Sequence, residues 1–286
     1  MNNQKSSPVL ILLLISTLVV GCVFLNGKSV HSYLVEEKEI DEASGIASSL
    51  KYPGLLYTHN DSGGESAVYV LNQIGFMPAK IILEGIQNRD WEDIATCYDP
   101  KDQKPYVYVG DIGDNNSSHT SSFIYCFEEP DIKDTLIVVR NIQKIEFVYE
   151  DGPRDAEALM IDPKTGDIYI ISKRDETAKI YQLSYPQSFN EVNIARQIGT
   201  LPYKWVVAAD ISPSGDYILV KTYNQIYRYK RRADKNVKEA LMTKPKIMTY
   251  QLEEQGEAIA FDSKGKGYFT ISEKGESSEV KLFYYK

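Results

Sequence analysis

The chain has 286 residues, 43% of them hydrophobic and 25% charged, with a formal net charge of −8 at pH 7. Such a composition supports a folded core rather than disorder, and the negative balance repels phosphate backbones, which excludes nucleic acid as the expected partner. Tyrosine is the outlier, 21 residues against 9 Phe and 2 Trp, and fits many half-buried strands where a ring packs and its hydroxyl reaches water.

At the start of the chain, Lys5 precedes an apolar run from Pro8 to Val20 that ends in Gly21-Cys22, the pattern of a signal peptide over residues 1–21. A helix of that length rises about 20 Å, short of the roughly 30 Å hydrocarbon core, which disfavours a permanent span. Leu18-Val19-Val20-Gly21-Cys22 resembles a bacterial lipobox. The resemblance implies lipidation of Cys22, export, and anchoring to a bacterial membrane facing the periplasm or cell exterior. An ordinary secretory signal, or an uncleaved anchor with Cys22 incidental, is the other reading. Residues 22–31 then form a tether and 32–286 the folded domain.

One pattern recurs along that domain: an apolar start, a Pro/Gly/Asp turn, then an alternating aromatic and aliphatic strand. The starts are Ser44-Gly45-Ile46-Ala47, Glu92-Asp93-Ile94-Ala95, Glu157-Ala158-Leu159-Met160, Ala209-Asp210-Ile211-Ser212 and Glu257-Ala258-Ile259-Ala260. Their second strands are Leu55 to Asp61, Tyr106 to Asp111, Ile168 to Lys173, Tyr217 to Thr222 and Tyr268 to Glu273. The spacing is near the roughly 40–50 residues of a four-stranded blade. Third strands centre on Tyr69, Tyr125, Tyr181, Tyr227 and Phe283, and fourth strands fit Ile81 to Leu83, Ile142 to Tyr149, Arg196 to Thr200 and Ile247 to Leu252. The last repeat lacks a fourth strand, and Ser32 to Glu36 can supply it. The pattern predicts an all-β fold, a five-bladed β-propeller closed by its N-terminal strand, which leaves no exposed sheet edge. Six blades are the alternative if 128–155 or 230–250 hides a degenerate one. Cys97 and Cys126 fall on the first and third strands of one blade, about 9.6 Å apart and beyond disulfide reach, so two free thiols are expected.

The segments Tyr57-Thr58-His59-Asn60-Asp61-Ser62-Gly63, Asp90-Trp91-Glu92-Asp93-Ile94-Ala95, Gly110-Asp111-Ile112-Gly113-Asp114-Asn115 and Asp155-Ala156-Glu157-Ala158-Leu159 resemble a widespread group of secreted bacterial propellers. More distantly, the Glu-x-Ile-Ala and Ser-Gly-Ile-Ala starts are similar to SdiA-regulated, NHL-like and TolB-like propellers. Neither resemblance implies a particular reaction.

First strands line a propeller's channel, and the ends of second strands share a face with their starts. Glu92, Glu157 and Glu257 are therefore expected at one channel mouth as candidate metal ligands, with Ca²⁺ before Mg²⁺ as the hard cation. Structural hydrogen bonding or pairing with lysine is the blander role. Asp61, Asp90, Asp155, Lys173, Arg174, Lys221 and Glu273 are the candidate ligand-binding face. No Gly-x-Ser-x-Gly, His-Glu-x-x-His or phosphate-cradling loop is present. The leading functional reading is a cell-envelope binding or scaffold module for a peptide, glycan or protein partner. A metal-dependent hydrolase of lactone or phosphoester type, with His59 or Asp111 as base, is the alternative.

Overall fold

The computed structural model describes residues 21–25, 28–275 and 279–286, so almost all of the expected signal segment lies outside the described residues. The chain opens with β1 (Gly21–Leu25) and β2 (Lys28–Val35). A first antiparallel meander follows: β3 (Ala43–Ser48), β4 (Leu55–Asn60), β5 (Ala67–Asn72) and β6 (Ala79–Leu83). The second is β7 (Trp91–Tyr98), β8 (Pro105–Asp111), β9 (Ser122–Glu128) and, after β10 (Leu136–Val139), β11 (Gln143–Tyr149). The third is β12 (Ala156–Ile161), β13 (Ile168–Ser172), β14 (Ala178–Leu183) and β15 (Asn193–Leu201). The fourth is β16 (Val206–Ile211), β17 (Tyr217–Thr222), β18 (Gln225–Lys230) and, after the short helix α1 (Val237–Leu241), β19 (Lys246–Ile247). The last is β20 (Ala258–Phe261), β21 (Tyr268–Ile271) and β22 (Val280–Tyr285).

The last meander gains its fourth strand from β2, which pairs antiparallel with β22 from Val30–Tyr285 to Val35–Val280. This strand begins at Lys28, inside the stretch expected to be tether, and β1 folds back on it so that Cys22 lies opposite His31. The stretch 128–155 holds β10, which pairs in parallel with β6, and β11, which pairs with β9 and in parallel with β15. The parallel seam fuses the second and third meanders into one hydrogen-bonded sheet. The stretch 230–250 holds α1 and β19.

First strands touch in a cycle: β3 with β7, β7 with β12, β12 with β16, β16 with β20, and β20 with β3. The hydrophobic core is divided among the seams of that cycle. Tyr57 and Val70 meet Trp91 and Val107 at the first seam, and Ile124 and Phe147 meet Leu159 and Tyr181 at the second. Ile171 meets Val220 at the third, Leu219 meets Phe261 at the fourth, and Phe269 meets Ile46 at the fifth. Strands near the axis are covered on both faces, and β12 and β13 are buried throughout. The outer β15 mixes exposed and buried positions. Meanders set side by side around a cycle of first strands make this a β-propeller.

Turns follow the expected chemistry. Gly166 at φ +76° donates to the Asp162 carbonyl at 2.8 Å, and Gly215 at φ +71° to the Ser212 carbonyl at 2.7 Å, both in a conformation that costs glycine little. The equivalence of Asp162, Ser212 and Asp262 corrects one repeat boundary. Each backbone N–H bonds the carbonyl five residues on, at Asp167, Tyr217 and Gly267. Counting back from that shared position, the partner of Glu157 and Glu257 in the fourth repeat is Val207, not Ala209. Cys97 and Cys126 are unpaired and buried.

Candidate functional site

Four first strands begin with a register break: between Ala43 and Gly45, Trp91 and Asp93, Ala156 and Ala158, and Val206 and Ala208. A bulge leaves one residue out of the ladder and re-aims its side chain. The residues so placed are Ser44, Glu92, Glu157 and Val207, and Glu257 immediately precedes β20. Next to them, just past the second strands, stand Asp61, Lys173 and Glu273, held by backbone bonds to the carbonyls of Glu42, Asp155 and Gln255. In the second meander it is the Gly113 N–H that bonds the Asp90 carbonyl, at 3.2 Å. The bulges thus gather the acidic residues at one end of the channel.

Glu92, Glu157 and Glu257 are all buried. Two groups of three share Glu92: Asp61, Asp90 and Glu92, and Glu92, Asp155 and Glu157, with one oxygen per residue within 4.8 Å of the others. Lys173 enters from the third meander, bonding Glu157 Oε1 directly and lying 3.4 Å from Glu257 Oε1. Tyr223 donates to the same Glu257 oxygen, and the Lys173 ammonium lies 5.3 Å from its ring centroid. Lys173, Glu157, Tyr223 and Glu257 form a pin linking the last three meanders. Burial works against the lysine's charge, but the carboxylates of Glu157 and Glu257 outweigh it and hold the ammonium protonated. Arg174 pairs with Asp155 and lies over Trp205, which is exposed and has φ +61°.

In the other half, among the described residues, no Lys or Arg pairs directly with Asp61, Asp90 or Glu92; Arg89 and His119 act on Asp90, and Lys173 on Glu92, without an ion pair. Burial, then the charges of Asp90 and Glu257, push Asp61 up to about 7. Burial, then Glu157, Asp61 and Asp90, raise Glu92 well above the carboxylate range. Glu273 is pushed to about 8 by burial and by Glu257.

Three residues named from the sequence are engaged by other partners. Lys221 is fully buried, donates to the Gly256 carbonyl and lies 4.8 Å from the Tyr250 ring centroid; burial lowers it to about 8. Its backbone pairs with Ala208 within the ladder, and its buried ammonium lies under the influence of Glu253 and Glu257 without an ion pair to either. Asp111 pairs with Arg89 at 3.0 Å. His59 is buried, donates from Nδ1 to the Asn60 carbonyl at 2.9 Å, meets Trp91 edge-on at 5.7 Å and is lowered to about 4 by burial. Sequence reasoning missed Tyr223, which follows β17 as Lys173 follows β13. It also missed Asp93, whose carboxylate accepts from Ile94 and Leu159 N–H groups, each at 2.9 Å, across a seam.

The fold and its site are those of a β-propeller with one acidic channel mouth. No family model and no curated protein matches the chain. Among solved structures it is similar to an auxiliary nutrient binding protein from Bacteroides thetaiotaomicron VPI-5482, with a TM-score of 0.50 and 10% identity, over 90% of this chain and 77% of that one. It is also similar to the Dos1 propeller, with a TM-score of 0.39 and 14% identity, over 85% and 68% of the two chains. Likeness at such identity is one of fold.

Proposed function

We propose that the five meanders are the blades of a five-bladed propeller that acts as a binding module, capturing a positively charged segment of a peptide or protein at its acidic mouth. One observation carries this reading. Asp61, Asp90, Glu92, Asp155, Glu157, Glu257 and Glu273 gather at one end of the channel, and the cations paired there are Lys173 and Arg174. These carboxylates repel one another, and Asp61, Glu92 and Glu273 are raised so that they hold protons near neutral pH; a cationic partner that displaces those protons relieves the repulsion and favours the charged forms. The wider reading, which admits a glycan, has no comparable support from charge. His59 and Asp111 are engaged with other partners, so the hydrolase reading has no base beside the carboxylates.

The same proposal places the chain at a cell envelope, exported by its N-terminal segment and held by lipid on Cys22; the lipobox-like Leu18 to Cys22 supports it. The likeness of the repeat starts to secreted, SdiA-regulated, NHL-like and TolB-like propellers fits that setting. No helix among the described residues is long and apolar enough to cross a membrane.

Calorimetric titration with hexalysine and hexaglutamate tests the binding reading. Hexalysine should bind at low salt, weaken as salt rises, and weaken at least about tenfold in Asp61→Asn/Asp90→Asn, roughly 1.4 kcal/mol. Hexaglutamate should not bind. Equal affinity in the variant, or no hexalysine binding at low salt, sinks it.

A further inference from the structure

We propose that the part of the acidic mouth where Asp61, Asp90 and Glu92 pair with no lysine or arginine holds one Ca²⁺ ion, bound by these three side chains and completed from the neighbouring group by the free oxygen of Glu157. The ion shares the acidic mouth with the binding reading but does not depend on that reading's partner.

Several independent features converge on this position. Glu92 belongs to both carboxylate groups, and within each the candidate oxygens lie within 4.8 Å of one another. Oxygens bound to a single Ca²⁺ at about 2.3–2.6 Å are themselves separated by up to about 5 Å, so one coordination sphere spans either group. Glu157 supplies the second feature. It is only 3% exposed, its Oε1 is bonded to Lys173, and its Oε2 has no hydrogen-bond partner among the described residues. A buried carboxylate oxygen left without a donor costs about 1–3 kcal/mol or more, which a cation on that side removes. Gly113 is the third feature. A Cβ at this residue would collide with Glu92 Oε1 and Asp90 Oδ2, so the absence of a side chain lets the two carboxylates converge.

The ligands also select the kind of ion. They are carboxylates on different strands and loops, without His or Cys, which suits a hard cation. Four protein carboxylates leave room for several waters, the variable geometry that Ca²⁺ accepts, whereas Mg²⁺ demands a near-ideal octahedron. The neighbouring Lys173 and Arg174 serve Glu157 Oε1, Glu257 and Asp155. They mark out the half already neutralised by protein cations and leave the Asp61 side for the ion.

The test is calorimetric titration of the chelator-treated chain with CaCl₂, paired with its thermal unfolding. One ion should bind, and the unfolding midpoint should rise with Ca²⁺. Glu92→Gln should weaken binding at least about tenfold, and Gly113→Ala should weaken it comparably while leaving the charge unchanged. Asp131→Asn, far from the mouth in sequence and paired with Lys51 and Lys133, should bind as the wild type does. Circular dichroism establishes that each variant is folded; if Gly113→Ala is not, Glu92→Gln decides. No binding up to about 10 mM Ca²⁺, beyond the weak extracellular range, overturns the proposal, as does wild-type affinity in a folded Glu92→Gln. Hexalysine is titrated separately in chelator. Loss of Ca²⁺ binding with hexalysine retained removes only the ion, and the converse removes only the cationic partner.

Discussion

Replacing Lys173 with Met should destabilise the domain by about 3 kcal/mol at pH 7, with a loss that shrinks as the pH falls. Lys173 touches Glu157 and lies 3.4 Å from Glu257, and the three side chains are 9%, 5% and 6% exposed. Methionine keeps most of the aliphatic stem and removes the charge, leaving two buried carboxylates without their shared cation. The cheapest relief is to protonate one of them. Protonating an acid of ordinary value near 4.5 at pH 7 costs about 3 kcal/mol, and this cost falls by roughly 1.4 kcal/mol per pH unit. At pH 5 the defect should therefore be about 1 kcal/mol. Urea denaturation followed by circular dichroism, in chelator at both pH values, measures it. Lys173→Met/Glu157→Gln should recover most of the loss at pH 7, because the second change removes one of the stranded charges. A single-variant loss below about 1 kcal/mol at pH 7, or one equal at both pH values, would refute the account of the pin.

Two further outcomes follow from burial. Cys97 and Cys126 should resist thiol reagents in the native state and react as two thiols after denaturation, since burial pushes Cys97 up to about 12 and raises Cys126 too; rapid native labelling would contradict the seam packing. Stability should decline as pH rises from about 5 to 7.5. Burial raises Asp61 and Asp210 to about 7, and an acid with a raised native value contributes stability that is complete below its unfolded value near 4 and lost through 7. His59, lowered to about 4, acts in the opposite sense by losing stability as pH falls below 6.5. The acids outnumber it, so urea midpoints should fall towards neutral pH and fall less in Asp210→Asn; a steady rise across that range counts against this balance.

The strand order was legible because its signals are local. Tyr57, Tyr108, Tyr169 and Phe269 sit in strands bounded by turn residues, and most of the Ser32–Glu36 stretch lies in β2, the strand that pairs with β22 in the last meander. The mouth was partly legible, because Glu92, Glu157 and Glu257 recur at the repeat starts. The bulges were not. Each inserts one residue into a two-residue alternation, so positions one apart in sequence face different surroundings. Strand length separates the two lysines: Lys221 still lies within β17, beside Tyr250, while Lys173, two residues further along its own repeat, lies just past β13 and reaches the mouth. Val207 was concealed because no polar residue marks its bulge. Asp111 carried the right chemistry, but Arg89, distant in sequence, holds it. Pairings of that kind depend on neighbouring strands and leave no periodic trace.

Carbodiimide labelling of carboxyl groups, read residue by residue by mass spectrometry with and without hexalysine, locates the partner's footprint on the propeller. Asp61, Asp90 and Glu273 should be protected, with Asp99 and Asp102, in the turn at the far end of β7, labelled equally in both samples. Protection of Asp99 and Asp102 with the mouth unchanged would contradict capture at the acidic end.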